Sequence, residues 1–286
     1  MTARRSAELT GGSTLQFNGS VARIDDAMIR SVFQQRSESL RIIVAFALLL
    51  LAGHGFAANE IDEKVEAAIV AESRPDADRE RDRNRRPLDT LKFFGLKDNM
   101  RVLELIPGGG WYTRILARVL AQNGQLYVAI GTGTIERTVL TEPGFEQVEV
   151  LRTNENIRRP EGSRHYLIDE FDFGVTGLDM VLTFRNLHNF DAESRARLNQ
   201  QVFRSLKSGG VYGVVDHTAR HMEPANNENR RRIDPVMVIK EMLETGFEFA
   251  GYSDLHYRAD DELEYEVGRR SVSGNTDRFT MLFRKP

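Results

Sequence analysis

A strand, three glycines and a helix follow one another in one short stretch, and this order constrains the fold more than any other feature. Residues 102–106 read Val-Leu-Glu-Leu-Ile and predict a short buried strand. Gly108, Gly109 and Gly110 then lead into apolar residues at helical spacing from about Trp111 onward. Glycine lets a ligand approach the backbone, and the first N–H groups of a helix have no partner within it. The stretch predicts a ligand-binding loop, and a tight turn without a ligand is the alternative.

Spacing separates two classes of ligand that use such a loop. The dinucleotide fingerprint is G-x-G-x-x-G. Gly108 and Gly110 fit its first two positions, but its third glycine falls on Thr113, which disfavours a nicotinamide-dependent oxidoreductase. The other pattern has an acid near the end of the strand, followed by glycines at alternate positions. Glu104 is that acid here.

This second pattern resembles motif I of the class I S-adenosylmethionine-dependent methyltransferases. The wording Glu-Leu-Ile-Pro-Gly-Gly-Gly-Trp-Tyr-Thr is also similar to a bacterial group of predicted methyltransferases, many of which have signal peptides. One position departs from the motif, because Ile106 stands where the family has its first glycine. The resemblance implies S-adenosylmethionine as the cofactor. The residues of the loop that it implies for cofactor binding are Glu104, Gly108, Gly109, Gly110 and Trp111.

Strands and helices alternate along the rest of the chain, which is the pattern of a parallel sheet covered on both faces. We predict an α/β fold, with further strands at 125–130, 148–151, 178–184, 211–215, 247–253 and 278–283. The resemblance implies a Rossmann-like class I methyltransferase fold. Such a fold has a seven-stranded, mostly parallel sheet with helices on both faces, and its antiparallel last strand inserts between the fifth and sixth.

Polar residues follow two neighbouring strands of this predicted sheet. Asn186 and His188 come after the strand at 178–184, and Asp216 and His217 end the next one. Ligands of open α/β sheets bind beyond the carboxyl ends of the strands. Histidine titrates near neutrality and suits the role of a base. We predict His188 as base or substrate-orienting residue, His217 as the second catalytic candidate, and Asn186 as a cofactor-binding residue; structural roles for the histidines remain the alternative.

Two further positions rest on the resemblance alone. The family has an acid after its second strand that holds the ribose hydroxyls, but residues 129–134 contain no carboxylate. Threonine hydroxyls, water or Glu136 would have to replace it, or the cofactor would bind weakly or not at all. An acid after the third strand often meets the adenine amino group in the family. Asp169 is the candidate here, and a helix cap or loop carboxylate is the alternative.

Composition limits the choice of partners. The absence of cysteine excludes disulfides, thiolate metal sites and cysteine nucleophiles. A net charge of −3 offers no general attraction to nucleic acid. His217, His221 and Glu223 have a spacing that would suit a metal on a helix, but Pro224 and the polar residues after it favour a loop. We therefore predict a small-molecule substrate, no nucleic acid and no metal.

The first residues predict a signal for export. Three arginines between positions 30 and 41 precede an apolar run at 42–52, which is too short to cross a bilayer comfortably. Small residues at Gly55 and Ala57 complete the pattern of a secretory signal peptide. Counted from Met28 the segment has a usual length, whereas counted from Met1 it is too long. We expect translation to start at Met28 and the protein to be periplasmic; anchoring by residues 42–52 is the alternative.

These observations divide the chain into three parts. We predict a disordered leader plus signal peptide at residues 1–57 and an N-terminal helical and charged segment at 58–98; the resemblance implies a Rossmann-like methyltransferase domain at 99–286. The mixed-charge run at 74–87 predicts a solvated helix face or linker; alternatively, it folds over the cofactor mouth as a lid. A non-catalytic binding protein with the same fold is the main alternative function, favoured by the missing ribose acid and by export.

Overall fold

The computed structural model describes residues 60–224 and 226–286. The predicted leader, signal peptide, translation start and apolar run at 42–52 lie outside these residues. Across the described ranges, no helix combines the length and apolar character needed to cross a membrane.

Within the described residues, four helices precede the first strand. Helix α1 covers residues 60–70, and the short helices α2 (Asp76–Arg79) and α3 (Asp82–Arg85) follow within the charged run. Helix α4 (Pro87–Phe94) begins with a proline, whose missing N–H is not needed in the first turn of a helix. It ends at Gly95, which has the left-handed backbone (φ 75°) common at helix ends.

The strands form two sheets. In chain order they are β1 (Arg101–Leu105), β2 (Gln125–Ala129), β3 (Glu149–Val150), β4 (Ile157–Arg158), β5 (Leu167–Ile168), β6 (Leu178–Phe184), β7 (Leu206–His217), β8 (Glu248–Ser253) and β9 (Arg278–Arg284). The main sheet has the order β3-β2-β1-β6-β7-β9-β8, and β4 pairs with β5 in a small antiparallel sheet. Strand β9 is antiparallel to both of its neighbours, β7 and β8. The predicted Rossmann-like class I methyltransferase fold is confirmed, including the insertion of the antiparallel last strand.

Two buried cores lie against the main sheet, because successive side chains of a strand point to opposite faces. Leu103 and Val181 enter the core that contains the apolar residues of α7 (Ala192–Ser205) and α8 (Pro235–Thr245). Val102 and Met180, one residue earlier on each strand, enter the other core. That core contains residues of α1, α4 and α5 (Thr113–Leu120).

Strand β7 is longer than predicted. The sequence predicts a helix to about Leu206 that residues 207–210 close, with the strand beginning at 211; instead the helix stops at Ser205 and residues 206–210 already belong to β7. The pairing with β6 shifts register between Leu178 and Met180, and Gly209 has a positive φ of 76°. A side chain on Gly210 would lie 2.9 Å from the carbonyl oxygen of Lys207. The glycine pair therefore marks an irregularity inside the strand, where glycine permits a close backbone approach.

A buried ion pair holds the long connection between β8 and β9. Arg232 donates two hydrogen bonds of 2.9 Å to the carboxylate of Asp261, and the two side chains are 0% and 1% exposed. Asp261 also accepts hydrogen bonds from the backbone N–H groups of Leu263 and Asp277. Removing one member of such a pair leaves a buried charge without compensation.

We expect Asp261→Ala to lower the free energy of unfolding by about 3 kcal/mol or more, because Arg232 would remain buried and unpaired. Urea denaturation measures this change. The matched control is Glu264→Ala, which breaks the half-exposed pair with Arg220 (51% and 49% exposed) and should cost less than about 1 kcal/mol. Equal losses of stability in the two variants would contradict a stabilising role for the buried pair of Asp261 and Arg232.

Candidate cofactor and active site

Three neighbouring strands of the sheet end in a residue with an unusual backbone. Ile106 follows β1, Ile130 follows β2 and Arg185 follows β6, and their φ values are 51°, 65° and 67°. Positive φ is costly for residues other than glycine, and such residues cluster at functional sites. Ile106 occupies the position of the first glycine of motif I. The chain therefore departs from the motif in residue type but keeps the backbone conformation that glycine usually provides.

Glu104 lies buried beneath the glycine loop. Its Oε2 atom accepts a hydrogen bond of 2.7 Å from the hydroxyl of Thr113, and both residues are buried. Burial raises the pKa of Glu104 to about 7, although Thr113 and the charge of Arg85 oppose the increase. Thr113 stands at the third position of the dinucleotide fingerprint. Its side chain ties the start of α5 to the acid, a contact that glycine cannot make.

A cavity of about 280 Å³ lies over the glycine loop, and we refer to it as the glycine-loop cavity. Its walls come from the loop, from the end of β6 and from the charged run before α4. The lining residues are Asp78, Arg81, Arg85, Glu104, Ile106, Pro107, Gly108, Gly109, Trp111, Tyr112, Phe184, Arg185 and Asn186. The cavity lies beyond the carboxyl ends of parallel strands, the usual ligand position in open α/β sheets.

The three glycines do not share one role. Gly108 and Gly109 line the cavity, and a Cβ atom added to either would meet no atom within 4 Å. Gly110 is different, because its Cβ would lie 2.6 Å from Cγ2 of Val139 and 3.2 Å from Cγ2 of Ile135. The expectation that all three glycines make room for a ligand therefore needs correction. Gly110 makes room for the packing of α6 (Gly133–Arg137) and the turn after it.

The charged run at 74–87 packs against the loop. The guanidinium groups of Arg74 and Arg85 lie over the ring of Trp111, with their carbons 5.1 and 4.4 Å from its centroid. Both arginines are buried, and Trp111 Nε1 donates a hydrogen bond of 2.9 Å to the carbonyl of Asp78. The expectation of a solvated face holds for the half of the run that is exposed, but Arg74 and Arg85 are buried because they stack on an aromatic ring. Through these two arginines the run covers the glycine loop.

Two residues from the C-terminal part of the chain hydrogen-bond to the backbone of the charged run at 74–87. His256 Nε2 hydrogen-bonds to the carbonyl of Arg85 at 2.9 Å, and Arg278 donates to the carbonyl of Asn84 at 2.6 Å. The other ring nitrogen of His256 lies 2.7 Å from the hydroxyl of Thr280. Burial lowers the pKa of His256 to about 4, so the ring is neutral. Because a carbonyl only accepts, Nε2 carries the proton.

Asn186 lies on the cavity wall at the end of β6. Its side-chain nitrogen donates to the carbonyls of Leu105 and Ile106, at 3.2 and 3.4 Å. The amide therefore links the ends of β1 and β6. Asn186 and Glu104, two of the predicted cofactor-binding residues, line the same cavity.

His188 and Asp216 form a buried pair. The Nδ1 atom of His188 lies 2.5 Å from Oδ1 of Asp216, and the backbone N–H groups of His188 and His217 also donate to this carboxylate. The ring of His188 is thus held at Nδ1 by the carboxylate. His188 lines a second cavity of about 500 Å³. Within the described residues Nε2 has no hydrogen-bond partner, and a histidine positioned in this way has the arrangement of a general base.

His217 lies close to His188 but has different surroundings. The two ring centroids are 5.9 Å apart, and His217 Nδ1 lies 3.0 Å from the hydroxyl of Thr276. Burial, followed by the charges of His188 and nearby arginines, lowers its pKa well below the usual value. His217 does not line the glycine-loop cavity or the second cavity. Its catalytic role stays a prediction.

Two acids considered for the cofactor lie away from the glycine-loop cavity. Asp169 accepts hydrogen bonds from Arg158 and Asn156. Glu136 accepts from Thr132 at 2.5 Å and from Arg152 at 2.6 Å. Neither acid lines the cavity, and no residue directly after β2 does. The cavity thus covers the ends of β1 and β6 and leaves the ribose-binding position of the family without a carboxylate.

His217, His221 and Glu223, whose spacing suggested a metal site, do not form one in the described chain. His221 hydrogen-bonds to Asp234 at 2.8 Å. Within residues 60–224 and 226–286, no group of three histidine, cysteine or acidic side chains is placed to hold a metal ion.

Sequence reasoning missed the arginines of the cavity. Arg185 directly follows the strand predicted at 178–184, so its position at a strand end was a usable signal. Arg81 and Arg85 lie in a run whose alternating charges are typical of a solvated surface. The burial of Arg85 depends on Trp111 and on His256, which no local pattern reveals.

No protein-family model matches the sequence, and no curated protein matches it. Among solved structures, the chain is similar to an S-adenosylmethionine-dependent methyltransferase from Aquifex aeolicus, with 16% identity, a TM-score of 0.49, and coverage of 71% of this chain and 91% of that one. It is also similar to the [4+2]-cyclase SpnF (16% identity, TM-score 0.48, 73% and 81% covered). Human N-acetylserotonin methyltransferase, in complex with S-adenosylmethionine, gives 13% identity, a TM-score of 0.46, and 80% and 56% coverage. Because these structural similarities are distant, the activity has to be argued from the geometry of the site.

We expect Gly110→Ala to destabilise the protein more than Gly108→Ala. The first adds a side chain against Val139 at a φ of 81°, and it should lower the free energy of unfolding by about 3 kcal/mol. The second adds only the cost of a positive φ, about 1 kcal/mol, since the space is open. Urea denaturation of both variants measures the difference. Equal losses would mean that Gly110 has no packing role.

We expect the stability of Glu104→Gln to depend on pH differently from that of the wild type. Between the ordinary pKa of 4.5 and the folded value of about 7, the native protein binds more protons than the unfolded chain. The wild type therefore loses stability as pH rises through this window. The variant lacks this loss, so its stability relative to the wild type should rise by up to about 3 kcal/mol between pH 4.5 and pH 8. Parallel pH profiles from urea denaturation would contradict a buried acid with a raised pKa.

Proposed function

We propose that the protein is an S-adenosylmethionine-dependent methyltransferase that acts on a small-molecule acceptor. The observation that carries this proposal is the position of Glu104, Gly108 and Asn186 on the wall of one cavity, beyond the ends of β1 and β6. The acid and the open backbone are the parts that motif I contributes in the family that the sequence resembles, and the amide of Asn186 comes from the end of β6.

The chemistry of the cavity fits the amino-acid end of this cofactor. Gly108 and Gly109 leave the backbone accessible, and Glu104 offers a carboxyl to an ammonium group. Tyr112 and Phe184 line the same space with aromatic rings, which attract cations such as a sulfonium. When bound, S-adenosylmethionine would supply a methyl group activated by that sulfonium. The residues after β2 offer no carboxylate to its ribose, so threonine hydroxyls or water would take that place.

His188 is the residue that we propose as the base. Its role would be to take the proton of the acceptor atom at Nε2. Asp216 would hold the ring in position and stabilise the positive charge that forms on it, since it accepts the Nδ1 proton. His217, which is buried beside His188, is the second candidate for a catalytic role.

A non-catalytic binding protein with the same fold is the alternative. The observation that favours it is the end of β2, where the nearest carboxylate, Glu136, is already engaged by Thr132 and Arg152. A nicotinamide-dependent oxidoreductase is less well supported, because Thr113 occupies the third glycine position and its hydroxyl is used by Glu104.

Export to the periplasm is part of the proposal. It rests on the basic flank, the short apolar run at 42–52 and the small residues after it. The alternative location is the membrane surface, with the apolar run as an uncleaved anchor.

Calorimetric titration of the full chain with S-adenosylhomocysteine, S-adenosylmethionine and NAD tests the proposal. We expect the first two to bind and NAD not to bind. We expect Gly109→Val to weaken the binding of S-adenosylhomocysteine at least tenfold, because the new side chain enters the cavity at a position with open space and no positive φ.

The control variant is Gly174→Val, which lies outside the cavity and carries the extra strain of a φ of 68°. It should bind S-adenosylhomocysteine as the wild type does, which separates loss of stability from loss of the site. If neither adenosyl compound binds to the wild type, the binding-protein alternative leads. Unchanged binding by Gly109→Val would place the cofactor outside this cavity.

A further inference from the structure

Three arginines line the glycine-loop cavity, namely Arg81, Arg85 and Arg185, and Arg278 lies behind them. Arg81 and Arg85 come from the charged run at 74–87, Arg185 follows the end of β6, and Arg278 begins β9. Within the part of the chain that the structure describes, none of the four forms an ion pair with a carboxylate, although many surface arginines do. The cavity therefore collects guanidinium groups that are not paired directly with a carboxylate.

Two of these arginines, Arg85 and Arg278, are withdrawn from water, whereas Arg185 is partly buried and Arg81 is exposed. Arg85 is 7% exposed and Arg278 is 6% exposed. Burial, followed by repulsion from the neighbouring arginines, lowers the pKa of Arg85 to about 9 and that of Arg278 to about 10. Burial and the charge of Arg81 also lower the pKa of Arg185. A buried charge without an opposite partner is unfavourable, so the arrangement needs an explanation.

The contacts within the protein compensate this charge only in part. Arg85 stacks on Trp111, and Arg278 donates to the carbonyl of Asn84, but neither contact brings a negative charge. Two acids share the cavity. The carboxylate of Asp78 lies 3.8 Å from Arg114, and Glu104 is bonded to Thr113 with a pKa of about 7, so it carries only part of a charge near neutrality.

The proposed cofactor does not supply the missing charge. S-adenosylmethionine has one carboxylate against an ammonium and a sulfonium group, so its net charge is positive. An anion must then come from the second ligand of the reaction. A guanidinium group suits carboxylate and phosphate equally, since its planar fork can donate two parallel hydrogen bonds to either.

We propose that Arg81, Arg85 and Arg185 form a subsite for an anionic group of the acceptor, a carboxylate or a phosphate. This inference rests on the proposed function, because it assigns the substrate class of the same site. Arg185 lies beside the proposed base in the sheet, since its backbone N–H donates a hydrogen bond of 2.7 Å to the carbonyl of Val215, the residue before Asp216, and Asp216 holds His188.

Calorimetric titration with inorganic phosphate, and in parallel with malonate, tests the subsite in the full chain. We expect one of these anions to bind both to the free protein and to the protein saturated with S-adenosylhomocysteine, and to bind more weakly at higher salt. We expect Arg185→Gln to weaken anion binding about tenfold or more, because it removes a charge-assisted donor. The variant should change the affinity for S-adenosylhomocysteine less than twofold.

Arg83→Gln is the matched control. Arg83 belongs to the same short helix as Arg85, but it is exposed and does not line the cavity. It makes the same change in net charge, and it should leave anion binding within twofold of the wild type. A thermal scan of each variant shows that it is folded. The anion should raise the melting temperature of the wild type and of Arg83→Gln, but not that of Arg185→Gln.

The outcomes separate this inference from the proposed function. If phosphate and malonate fail to bind, or bind equally well to Arg185→Gln, the subsite is overturned. It is also overturned if the anion and S-adenosylhomocysteine exclude each other and Arg185→Gln weakens both, because the arginines then serve the carboxylate of the cofactor. If the anion binds as expected while S-adenosylhomocysteine does not bind at all, the arginine subsite stands and the methyltransferase proposal fails.

Discussion

The stacking of two arginines on Trp111 is the interaction on which the site depends. Trp111 belongs to the glycine loop, whereas Arg74 and Arg85 belong to the charged run before α4. Without this contact the run would have no apolar surface to bury, and its charges would favour water. With it, Asp78 and Arg85 become walls of a cavity that β1 and the loop alone would leave open. The loop therefore gains its enclosure from residues that precede the sheet in the chain.

Much of the fold could be predicted because its signals are local. The strand at 178–184 matches β6, and its apolar run, bounded by polar residues, needed no tertiary information. The same local reasoning misjudged Gly209 and Gly210, since glycine after a helix is usually a cap. Here the extended backbone of β7 continues through them, because the pairing with β6 begins before the glycines. Local patterns identify elements well and their ends less well.

The site was harder to predict, for a physical reason. Glu104, Gly108 and Asn186 lie at strand ends, and the topology of a parallel sheet brings such positions together whatever their side chains. Arg185 shares this strand-end position, but Arg85 reaches the cavity only through stacking and a backbone hydrogen bond between distant segments. Asp169 was chosen from the resemblance alone, and its pairing with Arg158 depends on the small sheet of β4 and β5, whose strands have only two residues each.

The charged groups of the cavity are unfavourable for the protein alone and become favourable with a ligand of the right charge. Glu104 keeps its proton up to a pKa of about 7 because burial opposes its charge, and a nearby ammonium group would favour the ionised form. The arginines repel one another, and an anion would reverse that repulsion. A ligand that binds only the folded state stabilises it in proportion to the affinity. The same burial that costs stability without a ligand therefore provides affinity for one that has both an ammonium and an anionic partner.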